Sequence, residues 1–285
     1  MIGDPHSPSP DPARPDPIEN PRHTATTGDN AGRTVIAIHQ PHYWPWLGLI
    51  DKIDRSDRFI VLDTVQFERR GWQNRNYIAG TGEPVLLTVP VEQAGRDELI
   101  LEKKIDNTRK WRKKHYRALA EHCYRKAPYW NDHKDEIAHL YETEWENLAE
   151  LAIATTHLLM RGFGIETPLS RASELGDFPG TKSELLAQIC AKAGADTLLA
   201  GQGSRDYMDP EVMNRYGVDI QWQDFQHPRY RQHTRRSTDT FLPRLAAIDL
   251  LLNAGPDSLH VLRQARTRDR PGSAQRGTDL PDRRK

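Results

Sequence analysis

The stretch TVIAIHQPHYWPWLGLIDKI, residues 34 to 53, decides the fold. Thr34 to Ile38 is a short apolar run rich in β-branched residues, the signature of a buried strand. A helix is predicted to begin near Trp46. Between them the turn is crowded with His39, Gln40, His42, Tyr43 and Trp44. In an open α/β sheet, ligands bind in the crevice beyond the carboxyl ends of the strands. A strand that ends in polar and aromatic residues, where a plain Gly/Asp turn would suffice, points to a site at that edge.

Working outward, Arg58 to Leu62 is predicted to be a second strand ending at Asp63. Strand, helix and strand within about 30 residues make a βαβ unit, with a right-handed crossover to a parallel neighbour. Val85 to Val91 is expected to be the return strand of a hairpin turning at Gly80-Thr81-Gly82. Asp106-Asn107-Thr108 caps a basic helix that stops before Pro128, and Asn131 opens a longer helix through about Met160. These two form a helical insert over about 106–162. The strand and helix alternation then resumes: a strand over Ile165 to Leu169, a helix over Gly180 to Ala193 and a strand over Asp196 to Ala200. A helix over Ser204 to Arg215 follows, with Asp206 and Tyr207 in its first turn, and then a strand over Val218 to Trp222. Phe241 to Asn253 closes the core as an apolar helix. The fold class is α/β, a Rossmann-like and mostly parallel sheet with a helical insertion. It is expected as a single domain over residues 33–263.

The two ends read differently. Residues 1–32 and 264–285 are poor in large apolar side chains, and such segments cannot bury enough surface to offset their ordering entropy. Both are expected to be disordered tails. Lys+Arg 40 and Asp+Glu 40 give a formal net charge of +0, which argues against a chain-wide DNA footprint. No apolar run approaches the roughly 20 residues of a membrane helix, and no secretory signal pattern opens the chain. Cys123 and Cys190 form no CxxC pair, as in a reduced cytoplasmic protein.

Three polar-rich loops carry the chemistry. The first is the His39–Trp44 turn. The second, Asp63 to Asn76, contains Gln66, Asn74, Arg75 and Asn76; two amides flanking a guanidinium supply a fork of donors for phosphate, carboxylate or sugar hydroxyls. The third, Trp222 to Gln232, holds Asp224, His227, Tyr230 and Gln232. Gly201-Gln202-Gly203-Ser204 follows a strand and could present backbone N–H groups to an anion or form an ordinary tight turn. His39, His42 and His227 are the candidate bases, with Arg75 beside them as a catalytic cation. Gln40, Tyr43, Asp63, Gln66, Asn74, Asn76, Gly201, Asp206, Tyr207, Asp224, Tyr230 and Gln232 are candidate substrate contacts. His-x-x-His with a distant third histidine is a weak metal pattern, and no metal is expected.

Together, HQPHYWPWLG (39–48), DTVQF and GWQNRN (63–76), LTVPV (87–91), KWRKKH (110–115), AGQGSRDYMD (200–209), WQDFQHPRYRQ (222–232) and DLLLNAG (249–255) resemble the WbqC-like family. The resemblance implies a role among bacterial genes for O-antigen, lipopolysaccharide, amino-sugar or natural-product pathways. The expected activity is transfer of an activated acyl or aminoacyl group to an amine of a sugar-like acceptor, the donor being a nucleotide ester, a thioester or a charged tRNA. Two alternatives stand beside it. One is an adenylating or nucleotidyl-transfer enzyme of HIGH-like type using ATP; the other is a non-catalytic sugar- or nucleotide-binding module.

Overall fold

The computed structural model describes residues 32–93, 95, 97–234 and 240–267. The tail expected over 1–32 therefore lies outside the described residues, except for Gly32, as does the chain beyond 267. In chain order the elements are β1 (Val35–His39), α1 (Leu47–Asp54), β2 (Arg58–Val61), β3 (Arg75–Ile78), β4 (Val85–Thr88), α2 (Trp111–Arg117) and α3 (Trp130–Glu142). There follow α4 (Leu148–Phe163), β5 (Leu169–Arg171), α5 (Ala172–Leu175), α6 (Ser183–Lys192), β6 (Thr197–Ala200), α7 (Pro210–Arg215), β7 (Asp219–Trp222), α8 (Ile248–Ala254) and α9 (Ser258–Thr267). They make two compact units. Of the described residues, the first takes those up to His39 with Arg55–Thr64 and Thr167–Gln223; the second takes Gln40–Asp54, Val65–Glu166 and those from Asp224 onward.

The first unit is built on a five-stranded sheet in the order β5-β2-β1-β6-β7, with every neighbouring pair parallel. Val35, Ile36, Ala37 and Ile38 of β1 are all buried, and so is the whole of β6. Such uninterrupted burial marks a strand covered on both faces, as at the middle of a parallel sheet. The outer strands β5 and β7 are only half buried. Carboxylates fix where strands start: Asp57 accepts the Val35 N–H at 2.8 Å and Asp196 that of Thr34 at 2.8 Å. The chain steps from β1 outward to β2 and β5, then returns to the other side of β1 for β6 and β7. The winding therefore reverses between β1 and β6.

In the second unit β3 and β4 form an antiparallel hairpin with Tyr77 opposite Leu86. Strand alternation buries Asn76, Ile78 and Leu87 and leaves Tyr77 and Leu86 exposed. The core helix α4 begins where Asn147 accepts the N–H groups of Ala149 and Glu150, and ends at Gly164 in the left-handed conformation (φ 70°). It lies close against the buried α8: a Cβ at Gly162 would come within 2.5 Å of a Leu251 methyl. On α9, Arg263 and Arg266 hold Asp54 of α1, each at 2.7 Å, and Arg266 also reaches Asp51 at 2.5 Å.

Several expectations are corrected. The long helix over Asn131 to Met160 is two helices, because Asn147 captures the backbone donors of a new first turn. The Ser204–Arg215 helix shrinks to α7, since Asp209 caps it and Pro210 stands at its first position, where a missing N–H costs nothing. Asp206 and Tyr207 thus precede the helix. Pro243 falls within the Phe241–Asn253 stretch, and only Ile248–Ala254 is regular α8. The first residues of the tail expected from 264 are helical, because α9 runs to Thr267 with Ala265 buried. The strand expected at Ile165 to Leu169 is displaced to β5. The basic helix α2 continues as a π-helical turn over Ala118–Cys123, which no spacing of apolar residues announces.

Candidate functional site

Because all five strands run the same way, their carboxyl ends share one edge of the first unit. His39 closes β1 there, half-buried, its carbonyl accepting the Leu62 N–H at 2.8 Å. Across the reversal, β6 ends in the turn Gly201–Ser204, a single 3-10 turn in which Ser204 Oγ donates to the Gly201 carbonyl at 2.7 Å. Gln202 Nε2 donates to the Gln223 carbonyl at 2.7 Å and ties the turn to the end of β7. Arg205 donates to Gln202 Oε1 at 2.5 Å and lies over the Trp222 ring, 4.4 Å from its centroid. A Cβ at Gly201 or Gly203 would meet nothing within 4 Å, and neither has a positive φ. Nothing in the protein's own packing therefore requires glycine at either place.

Asp63 lies on the same edge but is fully buried and already occupied. It accepts from Arg171 Nε at 2.8 Å, Ser173 Oγ at 2.7 Å and the Ser173 N–H at 3.1 Å. Those bonds tie β2 to the chain after β5. Asp206 and Tyr207 are exposed beyond the turn.

Gln40, His42 and Tyr43 belong to the second unit, in a loop interrupted by Pro41 and Pro45. Side chains and neighbouring backbone engage several polar groups of this loop. The Tyr43 N–H donates to the Gln73 carbonyl at 3.0 Å, Gln73 Nε2 to Gln40 Oε1 at 2.8 Å, and the Trp44 N–H to Thr155 Oγ1 at 3.1 Å. Asn76 Nδ2 donates to the Trp44 carbonyl at 2.6 Å. Trp44 itself sits at φ +47°, a left-handed conformation that costs a non-glycine residue about 1–3 kcal/mol and persists only where the surroundings impose it. Here they do. Its indole is fully buried and donates to Tyr141 Oη at 2.9 Å, and Tyr43 Oη lies 2.5 Å from the same oxygen and 3.0 Å from His115 Nδ1. Burial, and then the charge of Lys52, pushes His42 down to about 4; burial and the charge of Lys114 bring His115 to about 4. Both are neutral at pH 7.

The donors expected to meet a ligand are partly engaged at home. Arg75 donates to the Gly71 carbonyl at 3.1 Å and to that of Arg70, with its guanidinium over Trp72. Asn74 Nδ2 donates to the Val89 carbonyl at 2.8 Å. Gln66 is exposed and bridges to Leu99. In the third loop, Asp224 is exposed. His227 is half-buried with both ring nitrogens engaged: Nδ1 lies 2.9 Å from the Pro228 carbonyl, and Nε2 accepts the Arg244 N–H at 3.3 Å. Tyr230 Oη and Gln232 Nε2 both donate to the fully buried Asp249, at 2.7 and 2.8 Å, joined by Tyr124 Oη at 3.0 Å. Burial raises the Asp249 carboxyl even so.

Of the predicted residues, His39, Asp63, Gly201, Asp206 and Tyr207 fall in the first unit; Gln40, His42, Tyr43, Gln66, Asn74, Arg75, Asn76, Asp224, His227, Tyr230 and Gln232 fall in the second. Within the first, His39 ends β1 and Gly201 follows β6, and these two strands are direct neighbours. Sequence reasoning missed Gln202 and Arg205, although the GQGSR run put an amide and a guanidinium beside the glycines. It also missed Asp249, which an apolar helix disguised. Among the described residues no group of three His, Cys, Asp or Glu side chains is arranged to hold a metal ion.

An all-parallel sheet whose winding reverses beside a histidine and a glycine turn defines an α/β protein, a class in which ligands bind beyond the carboxyl ends of the strands. More particularly, the chain belongs to the WbqC-like protein family, whose model matches residues 40–261. It is similar to the uncharacterized protein Rv1507c of Mycobacterium tuberculosis, 34% identical over 235 residues, which cover 81% of this chain and 98% of that one. No solved structure matches the chain.

Proposed function

We propose that the protein is an amide-forming transferase that delivers an activated acyl or aminoacyl group to an amine on a sugar-like acceptor. It would act in the cytoplasm, in amino-sugar, O-antigen-type or natural-product biosynthesis. The observation that carries the reading is the strand order, which sets His39 and the Gly201–Ser204 turn at the ends of neighbouring strands where the parallel sheet reverses its winding. Ligands of such sheets bind at that point.

In this reading His39 accepts a proton from the attacking amine as its nitrogen bonds to the acyl carbon. The carbonyl oxygen gains charge in the tetrahedral intermediate, and the N–H groups of the turn with the Arg205 guanidinium offset it. The bond to the activating group then breaks, and that group leaves with the electron pair. Glycines that the fold itself does not need are consistent with a ligand lying against bare backbone.

The test is to incubate the purified chain with an acyl thioester, a charged tRNA and ATP plus a carboxylic acid, each with an amino-sugar nucleotide, and to follow the acceptor's mass. Formation of an amide by the native chain and its loss, by about 100-fold or more, in His39→Ala support the proposal. Full activity in His39→Ala removes the assigned base. Release of AMP or pyrophosphate with ATP would identify adenylation, a second reading that the backbone N–H groups of the turn after β6 favour. Binding without turnover would leave a sugar- or nucleotide-binding module.

A further inference from the structure

A separate concavity lies in the second unit, between α2 and α3, with a volume of about 430 Å³. That is the size of small-ligand sites. Arg109, Lys110, Arg112 and Lys113 line it together with Tyr116 and Tyr141, against Glu142. Two of the four cations are committed. Arg109 pairs with Asp106 at 3.1 Å, and Arg112 donates to the Glu142 and Thr143 carbonyls at 3.1 and 3.0 Å. Lys110 and Lys113 are exposed and have no partner among the described residues. The Tyr116 ring is half-exposed, its centroid 6.2 Å from that of Tyr141. Buried Tyr141 holds both Tyr43 and Trp44 through its hydroxyl, so the pocket floor is bonded directly to the 40–46 loop.

We infer that this pocket binds a nucleoside diphosphate group, with Lys110 and Lys113 on the phosphates and Tyr116 against the base. Two ammonium groups without carboxylate partners match a diphosphate, and the aromatic wall matches a planar base. The site is concave, Glu142 lines it, and Glu144 pairs with Arg112 at 4.0 Å. An extended polynucleotide backbone would instead select a continuous basic track. The inference does not depend on the amide-forming reading, because it concerns binding alone.

Calorimetric titration of the full chain with UDP, pyrophosphate and uridine decides it. UDP is expected to bind one-to-one, pyrophosphate more weakly and uridine weakest. The double variant Lys110→Ala/Lys113→Ala, and to a lesser degree Lys113→Ala alone, should lose UDP affinity, the double by about tenfold or more. Tyr116→Ala should weaken UDP but not pyrophosphate. Lys114→Ala removes an equal charge just outside the pocket and should leave affinity within about twofold. The inference is overturned if UDP fails to bind at millimolar concentration or if the double variant binds as the native chain does. It also falls if Lys114→Ala loses as much, which would mean a diffuse field. Tighter binding of a uridine-rich RNA oligomer than of UDP, lost in the same double variant, would make this a nucleic-acid surface and overturn it too.

Discussion

Asp249 has no exposed surface, and Tyr124, Tyr230 and Gln232 all spend a donor on it. Removing the carboxylate leaves those donors buried without an acceptor, each at a cost of about 1–3 kcal/mol. Asp249→Ala is therefore expected to lower unfolding free energy by about 3 kcal/mol or more, read from urea denaturation. Tyr230→Phe, which removes a single donor, should cost about 1 kcal/mol. Tyr230 and Gln232 read in the sequence as ligand contacts because a polar residue near a strand end looks the same whether it faces a substrate or a buried carboxylate. The two neutral histidines make a second prediction. His42 and His115 titrate near 4 in the fold and near 6.5 when unfolded. Between those values the unfolded chain takes up protons that the folded chain refuses, so their contribution destabilises the fold as pH falls from about 6.5 to about 4. Each accounts for on the order of 3 kcal/mol. Denaturation of His115→Gln across that range should show a flatter pH slope than the native chain.

At the scale of the element, the β1–α1–β2 start was legible because its strands carry near-continuous apolar runs and a parallel sheet demands them. The same logic identified β6, while the hairpin was announced by its Gly80-Thr81-Gly82 turn. The helical region was harder. Asn147 with Glu150 three residues later is a helix-start signal, yet it lies inside an apolar period that continues through it, and periodicity alone merged α3 with α4. Arg266 sits in a charged stretch that resembled a tail, while its partners Asp51 and Asp54 lie some two hundred residues earlier in the chain. The crossing of α4 and α8 is testable. Gly162→Ala gains about 1 kcal/mol of helix propensity, but its methyl would meet Leu251, which has no exposed surface into which to retreat. A net loss of about 1–2 kcal/mol is expected, with the melting temperature as the readout. Asn147→Ala should cost about 1 kcal/mol through the lost cap.

For the molecule as a whole, neither unit is a contiguous piece of chain. β6 and β7 lie within residues 167–223, but their sheet needs β1 from before residue 40 and β2 from 55–64. A fragment of residues 167–223 should thus show little native strand signal by circular dichroism, and adding a peptide of residues 32–64 should restore part of it. The sequence disclosed the sheet and its order of elements but not this interleaving, which follows from long-range contacts that no local pattern records. The π-helical turn at Ala118–Cys123 has a further consequence. Such a turn closes its hydrogen-bonded ring over one residue more than an α-helical turn does. That spare residue gives the segment slack. Losing one residue such as Ala120 lets an ordinary α-helical turn close in its place, with Tyr124 still carried toward Asp249. The same loss inside the regular α4 would rotate everything after it by about 100°.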